Sequence, residues 1–194
     1  MMNTDFTIDE FIRKGIITDE LELERALIAD RKLRLLAKDN LHFKNLRKKL
    51  RNLIEAYERK EWSDIGQLTD EKLAESNFWE TVAEQERIFI EKRKHLIRKE
   101  LKIGKLTQQD LGHLLGHKSK THMSELMNGI KPFTLKDLVL INQLLRIDIK
   151  ELIPVFLSKE DRIRVQSAIT ELGKPQIKSV SYTHLTLPDE GLGV

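Results

Sequence analysis

Ser119, Lys120, Thr121, Ser124 and Glu125 fall within seven consecutive residues and together offer a cation, a carboxylate and three hydroxyls. These are the groups that read base edges. Lysine donates to guanine O6 and N7, a carboxylate accepts from cytosine N4, and a hydroxyl does either. On a helix they leave Met123 and Leu126, with Met127 beside them, as one narrow apolar stripe for burial. A second set flanks the first. Thr107 and Gln108 open the preceding segment, and Asn128, Gly129 and Lys131 follow the end of this one. Backbone N–H groups at helix starts, short polar side chains and lysines bind phosphate, which sets position without reading sequence. The chemistry these residue types suit is non-covalent recognition of duplex DNA.

Such side chains need two short helices held close together. Thr107 is an N-cap for TQQDLGHLL, and Gly116 closes that helix, being tolerant of left-handed backbone angles. Gly112 lies on its inner face, flanked by Leu111, Leu114 and Leu115, where a small residue lets a second helix approach. That second helix runs from Ser119 to Met127 and ends at Asn128-Gly129. Thr134 and Asp137 cap TLKDLVLINQLLR, and Asp148 caps IKELI before Pro154. The whole has the sequence form of a helix-turn-helix.

The tracts L-T-Q-Q-D-L-G-H-L-L-G and M-S-E-L-M-N-G, with the L-x-x-L-x-x-I-x-x-L-L pattern from Leu135, resemble phage repressors of the Cro type (XRE-like). K-S-K-T-H-M-S-E-L-M-N-G-I-K-P-F-T-L is similar to antitoxins of the HigA type. The resemblance covers about residues 85–155. It implies a lambda-repressor-like five-helix domain that binds a double-stranded DNA operator as a homodimer. Carried over position by position, it makes Lys120, Thr121 and Glu125 base-facing, and Gln108 and Asn128 phosphate-contacting. The chain departs from the family pattern twice. Gly112 replaces the usual alanine of the first helix, and the turn from Gly116 to Ser124 is about one residue longer, which leaves open, by one position, which side chain faces which base. The resemblance to antitoxins also gives residues 1–84 a meaning, as a toxin-binding region directed at a small basic ribonuclease of the HigB type.

Charge follows the same division. Residues 1–84 carry 15 Lys and Arg against 18 Asp and Glu, whereas residues 85–156 carry 14 against 8. A cationic segment suits phosphate, and an acidic one suits a basic partner. A solvated basic face would look alike. With few Gly and Pro and many Leu, Ile, Lys and Glu, the composition predicts an all-α chain.

Helices are expected from Thr7 to Gly15, from Thr18 or Asp19 to about Asp39, and from Leu41 to Lys60, then a loop at SDIGQ. A short helix over LTDEKLAESNF and a separate long one from Trp79 to Lys102 follow, the latter stopped at Gly104. Residues 1–84 thus form an N-terminal helical region for partner binding or dimerisation, and residues 85–156 the DNA-binding domain. Deleting the first is expected to spare DNA binding. Residues 157–179 supply a C-terminal helix that packs on that domain or aids dimerisation. The uncharacteristic SYTHLTLP string marks residues 180–194 as a non-native or disordered tail.

The absence of cysteine removes thiolate chemistry and disulfides and fits a reducing cytoplasm. The first residues lack a secretory pattern, and no apolar run has membrane-spanning length. His113 and His117, four apart, have the spacing of zinc ligands or of polar surface at a DNA interface; no third acidic ligand stands near them. Without a nucleophile elbow or a phosphate-binding glycine loop, the chain is expected to need no cofactor and to be no enzyme. Two other functions fit the same residues: a transcriptional regulator unrelated to toxins, and a protein-interaction module that no longer binds DNA.

Overall fold

A computed structural model describes residues 8–61, 69–153 and 159–173. The described residues form nine α-helices and no strand, the all-α class that composition predicts. They are α1 (Ile8–Lys14), α2 (Glu20–Leu36), α3 (Leu41–Glu61), α4 (Asp70–Ile103), α5 (Gln108–Leu115), α6 (Lys120–Met127), α7 (Leu135–Leu145), α8 (Ile149–Leu152) and α9 (Lys159–Leu172). No described helix is long and apolar enough to cross a membrane. The SDIGQ loop and the tail over 180–194 lie outside the described residues.

Local chemistry sets most helix starts. Asp19 accepts from the Glu22 N–H at 2.9 Å and begins α2. Thr69 accepts from the Lys72 N–H at 3.2 Å and begins α4. Thr134 and Asp137 form a capping box at α7, and Asp148 caps α8. Such bonds satisfy donors that the first helical turn leaves free.

The two helices expected between residues 69 and 102 are one helix of 34 residues. Ser76 and Asn77 are weak helix formers, but tertiary contacts carry the helix through them. The Ser76 hydroxyl donates to Glu20 at 2.8 Å, and Trp79 is buried. In α2 the interior is taken by Leu21, Leu23, Ala26, Ala29 and Leu33, while Leu35 is exposed. The two alanines let α2 lie against α3 and α4 together.

Two cores result. One gathers residues of α1, α2 and α3, including Phe11, Leu33, Phe43 and Leu50. The other joins the end of α4 to α5–α8 through Ile97, Leu111, Met123, Leu126, Ile141 and Leu152. Ile130, which follows α6, belongs to the first core rather than the second. The described residues up to Ile153 make one compact unit, and the line expected between residues 84 and 85 falls inside α4. The later unit contributes α9, a 14-residue helix over the stretch expected to be helical.

As expected, α4 stops at Gly104, its C-cap residue. Gly104 keeps an ordinary φ of −75°, and the left-handed position falls on Lys105, at φ 53°. There the Leu106 N–H donates to Leu101 O at 2.8 Å and the Lys105 N–H to Lys102 O at 3.2 Å. A side chain in this conformation costs about 1–2 kcal/mol. Lys105→Gly should therefore stabilise the protein by about 1 kcal/mol. Gly129→Ala should cost about 1–3 kcal/mol, since φ is 67° and an added Cβ would lie 2.8 Å from Ile90 Cγ2. Urea unfolding of both variants checks the opposite signs.

Candidate nucleic-acid interface

Helices α5 and α6 are joined by the four residues 116–119 and pack on one another. Thr107 and Asp110 close a reciprocal box: the Asp110 N–H donates to Thr107 Oγ1 at 3.1 Å, and the Thr107 N–H to Asp110 Oδ2 at 2.8 Å. Those bonds from the Thr107 backbone and hydroxyl hold the Asp110 carboxyl below its ordinary range. Gly116, at φ 85°, ends α5, with the His117 N–H donating to Gly112 O at 2.7 Å and the Gly116 N–H to His113 O at 3.0 Å. Gly112 is buried. A Cβ there would sit 3.1 Å from His117 O and 3.6 Å from Met123 Cγ, so glycine admits the turn and the α6 side chain at once.

Ser119 begins α6 by accepting from the His122 N–H at 3.2 Å, which leaves its hydroxyl hydrogen available. Met123, Leu126 and Met127 are buried with Leu111 and Leu115. At these helix starts the residues expected to meet DNA are open: Thr107, Ser119 and Lys120 are exposed, and Gln108 and Thr121 half-exposed.

The other end of α6 is covered. Glu125, expected to face bases, is 2 % exposed, and Asn128, expected to face phosphate, is 7 % exposed. Glu125 Oε1 lies 2.7 Å from His42 Nε2, at the start of α3. Its Oε2 lies 3.1 Å from Lys131 Nζ and 3.4 Å from His122 Nδ1. Lys131 reaches on to Asp9 at 3.0 Å. Asn128 O accepts from Lys32 of α2 at 2.8 Å, and Asn128 Oδ1 accepts from Lys94 of α4 at the same distance. Asn128 Nδ2 donates to Ser124 O at 2.8 Å, and Gly129 lies against Ile90. The roles assigned to Glu125 and Asn128 are therefore corrected. Both belong to a polar seam between α6 and the helices before it, which Ser124, Gly129 and Lys131 share.

Burial alone would push the Glu125 carboxyl up, but hydrogen bonds from His42, Lys131 and His122, with the Lys131 charge, hold it below its ordinary value. Burial likewise disfavours charge on Lys131, and Asp9 and Glu125 outweigh it. His117 Nε2 is 3.1 Å from Asp137 Oδ1, and its ring meets that of His122 edge-on at 4.9 Å. These histidines thus bridge two buried carboxylates.

The cationic surplus of residues 85–156 is partly internal. Arg93 is 3 % exposed, donates to Leu152 O at 3.1 Å, and lies over the Phe89 and Phe133 rings. Lys94 serves Asn128, and Lys92 pairs with Glu151 at 2.8 Å. Arg98, Lys99, Lys102, Lys105 and Lys118 remain exposed. His42, Lys32 and Asp9 escaped the sequence reasoning because no local pattern ties them to α6; His42 and Lys32 lie 83 and 96 positions from their partners. The one available signal was Ile130, an isoleucine placed just past a glycine helix stop. Comparison with known protein families, curated proteins and solved structures gives no match to the chain.

A carboxyl held low in the folded state stabilises above its unfolded pKa and loses that contribution as pH falls through the folded value. The native protein should therefore weaken below about pH 4.5, the ordinary glutamate value, more steeply than Glu125→Gln does. At pH 7 the variant should be about 1–3 kcal/mol less stable, through loss of charge-assisted bonds. Urea midpoints between pH 3 and 7 test this; parallel profiles would remove the role given to Glu125.

Proposed function

We propose that the chain is a sequence-specific DNA-binding repressor in which α5 and α6 act as a helix-turn-helix. What carries the proposal is the pair of exposed helix starts, Gln108 on α5 beside the closed Thr107–Asp110 box and Ser119–Lys120–Thr121 on α6, set by the close contact of Gly112 with Met123. Exposed Arg98, Lys99, Lys102, Lys105 and Lys118 flank them in the chain and supply charge for phosphate. Base reading falls to Ser119, Lys120 and Thr121. The Gln108 side chain and the α5 N-terminus hold the backbone. So small a reading surface needs two copies on a palindromic operator. In this proposal the protein is an antitoxin of the HigA type. Its acidic N-terminal helices receive a small basic ribonuclease, and it represses its own operon.

A second function has one observation in its favour. The covering of Glu125 and Asn128 by α2, α3 and α4 suits a protein-interaction module whose α6 no longer enters a groove.

Lys120→Ala should relax preference at one base pair, by about 1–3 kcal/mol, while Gln108→Ala should weaken binding to all sequences alike. Competition anisotropy on selected and scrambled duplexes measures both. Wild-type affinity should fall at least tenfold between about 50 and 200 mM salt. Binding that scarcely responds to salt would support the interaction module instead.

A further inference from the structure

An open cavity, a solvent-facing groove of about 570 Å³, lies among α2, α3 and α4. Glu20, Glu24, Glu55 and Glu58 line it, with Arg59 the one cation among the described lining residues. Glu20 accepts from neutral donors, the Tyr57 hydroxyl at 3.3 Å and the Ser76 hydroxyl at 2.8 Å. Glu55 has only a 3.8 Å pairing with Arg51 at the solvent edge.

Glu24 is the telling group. It is 9 % exposed and makes no hydrogen bond or ion pair among the described residues. Buried carboxylates are ordinarily paired, and one without a partner calls for an explanation. Burial, then the charges of Glu80 and Glu20, push its carboxyl up, with Arg31 in opposition. What would relieve it is a cation entering from the cavity.

The shape of the site selects the kind of cation. Among the described residues no group of three or more His, Asp or Glu is placed to hold a metal ion, and the four glutamates lie along two helices, Glu20 and Glu24 on α2 and Glu55 and Glu58 on α3. Carboxylates placed along two helices match a ligand with several charges along a chain, and Leu23 and the glutamate stems offer contact for the methylenes between them. We propose that this cavity binds an aliphatic polyamine, with Glu24 taking one ammonium group and Glu55 and Glu58 the next. This site is independent of the DNA-binding proposal.

Isothermal titration of the full chain with spermidine, in about 150 mM NaCl, tests the proposal. One-site binding and a raised melting temperature are expected. Glu24→Gln should raise the melting temperature of the free protein and weaken spermidine about tenfold, the loss of one charge-assisted bond. The exposed double variant Glu55→Gln/Glu58→Gln should also weaken binding, and it decides the matter should Glu24→Gln fail to fold. Unchanged affinity in a folded Glu24→Gln, or in the double variant, overturns the proposal. So does competition by Mg²⁺ at equal charge, which would mean a diffuse acidic surface. Glu24-dependent binding of a lysine-rich peptide without binding of spermidine overturns it too, assigning the cavity to a basic protein.

Discussion

A left-handed glycine at position 129 reverses the chain at the end of α6, and both cores depend on that reversal. The Ile130 N–H donates to Glu125 O at 2.9 Å, and the Gly129 N–H to Leu126 O at 3.1 Å. Leu126 and Met127 are thereby held in the core of α4–α8, while Ile130 is sent into the core of α1–α3. The Ile130 carbonyl then accepts from the Ile8 N–H at 3.2 Å. Full burial of an isoleucine contributes about 1.5–3 kcal/mol, a sizeable part of the stability of a domain. The same turn brings Lys131 back to the Glu125 carboxylate, so the apolar and ionic links share one backbone conformation.

Around that turn, polar contacts join elements far apart in sequence. Arg25 grips Glu86, Lys32 meets Glu91 at 3.0 Å, and His42 meets Glu125. Lys32 is disfavoured as a cation by burial, which its bonds to Glu91 only partly offset. Pairs of this kind add little net stability, because desolvation cancels much of the attraction. Losing one partner is costly, however, so they favour one packing over its alternatives. The helix that carries most of these links is α4.

How far the residues foretold this structure depended on how far each one's partner lies along the chain. Thr107, Thr134, Asp137, Asp148, Gly116 and Gly129 act within a few positions, and their roles as caps and stops stood out in the sequence. Gly112 was also legible, since only a small side chain suits a helix face pressed against a turn. The continuity of α4 was not, because Ser76 and Asn77 read as a break unless Glu20 is known to sit opposite. The burial of Glu125, Asn128 and Arg93 was hidden for the same reason. Their types suit a solvated or DNA-facing surface, and only partners from other helices withdraw them. In the candidate interface, then, the first turns of α5 and α6 could be read and the last turn of α6 could not.

The uninterrupted α4 has one more consequence. At 1.5 Å per residue it is a rod about 50 Å long. Trp79, Val82 and Glu86 are buried toward its first half, and Arg93, Ile97 and Leu101 toward its last. One residue inserted between Glu86 and Arg93 would turn these two sets about 100° out of phase. The middle of this rod can thus change only by whole turns, which makes it a gauge fixing the angular setting of the helices packed along it.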